Sequence, residues 1–181
     1  MEERMFATRT ETPLLVAFLT LNGFAQQSQR VGDLALATTL DDYFALVTKV
    51  IETAGGTVVK FIGDGVLVAC TPVTADSVVA AILELKLAVD QFMQERHWNC
   101  RLVARVHFGP VVAGPLGPGK HRRFDVVGRT VNITARLDTV GVGLSAEAFR
   151  QLRTETRTRF KKHTPPITYI RAEDSHRAME R

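Results

Sequence analysis

At 181 residues and 20.0 kDa, with 45% hydrophobic and 23% charged residues, the chain can bury one full core; disordered, collagen-like and membrane-spanning classes are excluded by composition. No apolar run approaches the roughly 20 residues of a bilayer span, and Met1-Glu2-Glu3-Arg4 lacks the basic-then-apolar layout of a secretory signal, so the expected setting is cytoplasmic with no membrane partner. The net charge of +4 and pI near 9.4 invite an anionic partner. Basic residues are spread along the chain except at Lys120-His121-Arg122-Arg123 and over 150–162, and a nucleotide polyphosphate accounts for such a cluster as well as nucleic acid does.

In chain order, residues 1–12 are polar and expected as a lead-in, and Pro13-Leu14-Leu15-Val16-Ala17-Phe18-Leu19 reads as a buried strand ending in Thr20-Leu21-Asn22-Gly23-Phe24. Over 25–53 the residues Leu36, Leu40, Phe44, Val47 and Ile51 recur at three or four, which predicts a helix with one buried face. Gly32-Asp33 allows two helical pieces, and Ala54-Gly55-Gly56 stops the second. Residues 57–70 predict a hairpin around Gly63-Asp64-Gly65, with Val58, Phe61, Ile62, Val66, Leu67 and Val68 suited to a core.

A second helix is expected to about His97, capped by Thr74 or Asp76, with Val79, Ile82, Leu83, Leu85, Leu87, Val89 and Phe92 mostly inward. Leu102, Ala104, Val106 and Phe108 alternate on one face of a strand, and Gly109-Pro110 is expected to turn it into Val111-Val112-Ala113-Gly114. After Gly128 a helix carries Asn132 and Arg136 four apart, on one face. Ser145 is expected to cap a helix through Leu152, and 156–162 with 166–171 to form a closing strand pair before a charged tail over 172–181. Cys70 and Cys100 lack metal-ligand spacing and are expected buried and reduced; His107 is read as structural.

Two charges among β-formers carry the chemistry: Lys60 and Asp64 need water or a partner. A solvated turn aspartate, a strand lysine facing solvent, or a pair that neutralises itself all satisfy that need. A second stretch bears on these readings. Lys60-Phe61-Ile62-Gly63-Asp64, a Gly-x-x-x-x-Gly segment, and Asp125-Val126-Val127-Gly128-Arg129-Thr130-Val131-Asn132-Ile133-Thr134-Ala135-Arg136 follow one another in order. Together they resemble the signature of the class III nucleotidyl cyclases, the adenylyl and guanylyl cyclases, over most of the chain.

The resemblance implies an α/β (α+β) fold of ferredoxin-like build, the cyclase homology domain, with a mainly antiparallel sheet flanked by helices over residues 13–171. It implies an adenylate cyclase-type phosphorus–oxygen lyase: the ribose 3′ hydroxyl of ATP attacks its own α-phosphorus, giving 3′,5′-cyclic AMP and pyrophosphate. Lys60 and Asp125 then match the adenine-recognition pair, Asn132 the ribose-orienting residue and Arg136 the transition-state arginine. Lys120 and Lys161 correspond to triphosphate-binding cations, with plain surface lysines as the alternative for both. Asp64 corresponds to a metal carboxylate for Mg or Mn in a two-metal site, with Thr20 and the Leu21 carbonyl at the other metal positions.

Thr20 is the departure, because the family pattern places an aspartate there. The site implied lies between two domains arranged head to tail, so a homodimer builds two equivalent sites. With one metal carboxylate missing, the expected activity is weakened. The alternative is a catalytically degenerate domain serving as hetero-partner or nucleotide sensor. A nucleic-acid-binding domain of ferredoxin-like build is favoured by the pI alone.

Overall fold

The computed structural model describes residues 8–163 and 168–173. Its strands are β1 (Thr10–Asn22), β2 (Thr57–Ile62), β3 (Gly65–Cys70), β4 (Arg101–Leu116), β5 (Arg123–Val127), β6 (Val142–Ser145), β7 (Phe160–His163) and β8 (Thr168–Arg171). They form one sheet in the order β2-β3-β1-β4-β6-β8-β7, with β5 paired to β4. Of these pairs only β4–β6 is parallel. The helices are α1 (Phe24–Ser28), α2 (Asp33–Thr53), α3 (Ala75–Glu95), α4 (Arg129–Arg136), α5 (Ala146–Arg150) and α6 (Thr154–Arg157). The succession of β1, α2, β2, β3, α3 and β4 is the βαββαβ unit expected of a ferredoxin-like core.

Alternation along β1 sorts the molecule into two cores. Leu15, Ala17, Leu19 and Leu21 face α2 and α3 in the larger cluster, while Leu14 and Val16 face the opposite side with Leu67, Val111 and Val126. The line that α2 buries is Thr39, Tyr43, Val47 and Ile51, four apart; Leu36, Leu40 and Phe44 flank it half-buried. On α3 the residues Val79, Ile82, Leu83, Leu85 and Val89 are buried as expected, whereas Leu87 is exposed. Buried Lys86 is neutralised by Asp90 one turn on, and Asp90 also accepts from the Leu102 N–H at 2.8 Å, tying the helix to β4.

Four local expectations change. Neither Thr74 nor Asp76 caps α3: the Thr74 hydroxyl turns back toward the Thr71 carbonyl at 3.5 Å, and the Asp76 carboxylate accepts from the Arg153 N–H at 2.7 Å. Gly109-Pro110 makes no turn, and β4 continues to Leu116 to pair with β5. Pro110 lies opposite Pro13 in the β1–β4 register, and its carbonyl accepts from the Thr130 hydroxyl at 2.6 Å. Residues 154–157 form α6, because the Arg157 side chain folds back to donate to the Phe149 and Arg150 carbonyls at 3.2 and 2.7 Å. The closing strand therefore begins at Phe160; residues 164–167, including Pro166, and the tail beyond 173 lie outside the described residues. Last, Phe61 and Ile62 are about half exposed, with the Phe61 ring stacked on Phe44 at 4.3 Å between centroids.

Two further local expectations hold. α1 and α2 are separate pieces with Gly32 between them, and Ser145 caps α5 by accepting from the Ala148 N–H at 3.1 Å. Both cysteines are buried and unpaired, and burial pushes the Cys70 thiol up to about 12. No helix among the described residues is long and apolar enough to cross a membrane.

Candidate functional site

The β2–β3 hairpin carries a bulge that decides where Lys60 points. Val58 pairs with Val68 on the helix side of the sheet, and simple alternation would put Lys60 on that same apolar side. The register slips between Val58 and Lys60, so Lys60 lies opposite Leu67 and shares the other face with Val59. There its ammonium donates to Asp125 Oδ2 at 2.7 Å, and Asp125 Oδ1 accepts from the Val126 N–H at 2.7 Å. The pair spans β2 and β5, and it is partly solvated, with side-chain exposures of 39% and 24%. Lys60 and Asp64 therefore do not neutralise each other.

Asp64, at the hairpin tip, has a different partner. Its Oδ2 accepts from the Leu21 N–H at 2.7 Å, pinning the tip to the end of β1. Leu21 thus meets Asp64 through its amide N–H. The carboxylate borders a cleft of about 620 Å³ shared with Leu21, Gly23, Asn99 and Arg101. Gly23 has φ of 87° and sits so close to the next chain segment that a Cβ would lie 2.4 Å from the Asn99 carbonyl oxygen, which excludes every other residue at this corner.

Thr20, the residue before this anchor, is held by a side chain that sequence reasoning missed. Arg105 Nη1 donates to Thr20 Oγ1 at 3.0 Å, and Arg105 Nε donates to the Leu137 carbonyl at 2.9 Å, just past the end of α4. Burial lowers the Arg105 pKa while nearby Asp138 opposes the shift, and a guanidinium so displaced still carries its charge. The signal was present in β4: Arg105 alternates against Leu102, Ala104 and Val106, placing a charge on the sheet face opposite the helices.

The donor set can be weighed against a pair of divalent ions. It offers one carboxylate with a single oxygen free, one hydroxyl already bonded to a guanidinium, and no group of three His, Cys, Asp or Glu among the described residues. Hard cations want several oxygens and a negative site. The residues fit one such ion on Asp64 and do not fit two.

α4 sits close to the sheet because position 109 is glycine: a Cβ there would lie 2.7 Å from Thr130 Oγ1, which donates to the Pro110 carbonyl at 2.6 Å. With Thr130 and Thr134 buried against β4, the helix turns the exposed side chains of Asn132 and Arg136 outward, neither making a side-chain hydrogen bond or ion pair among the described residues. Lys120 is exposed on the short turn Gly119–His121 leading into β5. Lys161 lies on edge strand β7, four strands from β1, and its ammonium donates to the Ala172 carbonyl at 2.8 Å. At about 4.8 Å per strand it is some 19 Å from the Thr20 strand of its own chain.

Two buried groups nearby are structural. His107 Nδ1 is 2.7 Å from Ser145 Oγ and 3.7 Å from Glu147; burial lowers its pKa, with Glu147 opposing. Tyr43 is fully buried with its hydroxyl unbonded, and burial, reinforced by the Asp64 charge, raises its pKa. The chain thus assembles a base-sized polar pair, a free amide–guanidinium helix face, and a separate single-carboxylate cleft.

A sequence profile of the adenylate and guanylate cyclase catalytic domain matches residues 7–174. Adenylate cyclase 2 of Rhizobium meliloti (strain 1021) is 29% identical over 170 residues, covering 87% of this chain and 43% of that protein. The chain spans less than half the length of the curated adenylate cyclases it matches. Among solved structures, the adenylyl cyclase CyaB from P. aeruginosa superposes with a TM-score of 0.79 at 18% identity, over 93% of this chain and 98% of that one. The guanylate cyclase domain of RhGC from Catenaria anguillulae, in complex with GTP, superposes with a TM-score of 0.76 at 21% identity, over 90% and 97%.

Proposed function

The chain belongs to the adenylate and guanylate cyclase catalytic-domain family, and from that premise we propose that it closes ATP to 3′,5′-cyclic AMP with release of pyrophosphate, at a site shared by two copies arranged head to tail. The observation that carries this reading is the Lys60–Asp125 pair at 2.7 Å. The ammonium keeps two N–H donors for adenine ring nitrogens, and the carboxylate keeps lone pairs for the 6-amino group. A guanine would turn its 6-oxo oxygen toward that carboxylate, acceptor against acceptor. Since the solved neighbours include both adenylyl and guanylyl cyclases, the preference for ATP rests on this pair.

Asn132 orients the ribose, and Arg136, one turn on, meets charge that grows on the α-phosphate as the 3′ oxygen bonds to phosphorus and the bond to the β-phosphate oxygen breaks. Both side chains are exposed, as they must be to act on a nucleotide held against a second copy. Lys120 adds positive charge for the triphosphate, and Lys161 serves that role only toward the neighbouring copy's site. A divalent Mg or Mn ion on Asp64, when bound, supplies charge to the phosphates and makes the hydroxyl easier to ionise. Lys60 lies on β2 with its partner Asp125 while Asp64 lies at the hairpin tip against Leu21, and in a two-fold dimer the two serve opposite sites.

The bond between Arg105 and Thr20 favours a second reading. In it the chain lends its base and transition-state half to a partner cyclase domain bearing both metal carboxylates. The test is nucleotide conversion by the full chain with ATP or GTP and Mg²⁺ or Mn²⁺, with product identified by mass spectrometry. Cyclic AMP from the chain alone supports the first reading. Production only after mixing with such a partner supports the second, and a preference for GTP refutes the base assignment.

A further inference from the structure

We propose that the Arg105 guanidinium is a fixed cation standing where a second metal ion would act, and that it binds a phosphate group of the nucleotide directly, so that nucleotide binding survives removal of divalent metal. The proposal rests on the nucleotide-binding reading above and deepens it. Arg105 lies on β4 opposite Phe18, on the sheet face that also carries Thr20, and its Nη1 reaches Thr20 Oγ1 at 3.0 Å. The neighbouring residue, Leu21, is bonded to Asp64 at 2.7 Å. The guanidinium is thus bonded to the residue next to the one that anchors Asp64, the only carboxylate among the described residues bordering the cleft.

The arrangement is built rather than incidental. Arg105 Nε is fixed on the Leu137 carbonyl at 2.9 Å, which joins this point to the end of the helix bearing Asn132 and Arg136. Two of five N–H donors are spent, leaving three on a half-buried side chain that solvent and ligand can reach. A planar guanidinium with spare parallel donors matches a phosphate's oxygens, and its charge does not depend on pH in the physiological range.

The same contact makes Thr20 a poor metal ligand. A magnesium ion on Oγ1 would sit at about 2.0–2.1 Å, with a cation bonded to that oxygen already. The charge that an aspartate and a metal ion would contribute together at this position, one negative and two positive, sums to about the single positive charge that Arg105 brings. Replacing the carboxylate by a hydroxyl and adding the guanidinium therefore keeps a positive charge at this point, beside the nearby carboxylate of Asp138.

The experiment is titration of a fluorescent N-methylanthraniloyl ATP into the full chain, in EDTA and in Mn²⁺, for the parent, Arg105→Gln and Thr20→Asp. The parent is expected to bind in EDTA within about threefold of its affinity in Mn²⁺, and Arg105→Gln to lose about tenfold or more in EDTA, the worth of a charge-assisted hydrogen bond. Added Mn²⁺ should restore much of that loss. Thr20→Asp leaves Arg105 and its strand intact but neutralises the guanidinium, and is expected to lose EDTA binding to a similar degree, which guards against a misfolded Arg105 variant. Binding by the parent that requires Mn²⁺, or EDTA binding unaffected in both variants, overturns the role of Arg105 while leaving the nucleotide reading in place. No binding under either condition overturns both.

Discussion

Replacing Asp64 separates its structural bond from its proposed chemistry. The Leu21 N–H that it accepts belongs to a residue only 4% exposed, so water cannot substitute fully when the acceptor is removed. A hydrogen bond to a charged group contributes about 1.5–3 kcal/mol, and an orphaned donor costs about 1–3 kcal/mol. Asp64→Ala should therefore lower unfolding free energy by about 2 kcal/mol, which for a chain of this size is a fall in melting temperature of about 4–8 °C. Asp64→Asn keeps an oxygen in place and loses only the charge, so its loss should stay below about 1 kcal/mol. Cyclisation should fall in both, because neither side chain supplies an anionic oxygen to a hard cation. Urea unfolding at fixed pH measures the first effect and product formation the second. Equal stability of Asp64→Ala and the parent would show that the Leu21 contact does not hold the hairpin tip, and an active Asp64→Asn would remove Asp64 from the chemistry.

Lys60→Met should leave the fold intact, since the pair is partly solvated and such pairs contribute at most about 1 kcal/mol, while weakening ATP binding and its margin over GTP; unchanged discrimination in competition binding argues against the base assignment. Arg136→Ala should reduce kcat by about a hundredfold with little change in nucleotide affinity, because its contact strengthens as charge develops; single-turnover and binding measurements separate the two, and equal losses in both refute a transition-state role. His107 is buried with its pKa below the ordinary 6.5, so the unfolded chain takes up the proton first. Stability should accordingly decline as pH falls below about 6.5 toward the lower folded value. In His107→Gln that part of the decline, seen by urea midpoints between about pH 6.5 and 5, should flatten; an unaltered profile would assign the acid sensitivity to other groups.

Hydrophobic periodicity alone determined most of the elements. Alternation in β1 and β4 and the three-or-four spacing in α2 and α3 arise from geometry within each segment, and so do the Gly63-Asp64 hairpin tip and the Ser145 cap. The motifs from Lys60 to Asp64 and from Asp125 to Arg136 were legible through their resemblance to the cyclase signature, and the spacing of four put Asn132 and Arg136 on one helical face. What tertiary structure decided depends on contacts far apart in the chain. Pro110 stays within a strand that pairs with β1, nearly a hundred residues away, and continues to pair with β5, and 154–157 coil because Arg157 finds carbonyls on α5. The bulge at Val59 breaks the period of two, and only the pairing with β3 reveals that Lys60 turns toward Asp125 instead of the helices. The pairing of Thr20 with Arg105 joins residues 85 apart across two strands. No local pattern marks it, because a threonine and an arginine each look ordinary in a strand until the register sets one beside the other.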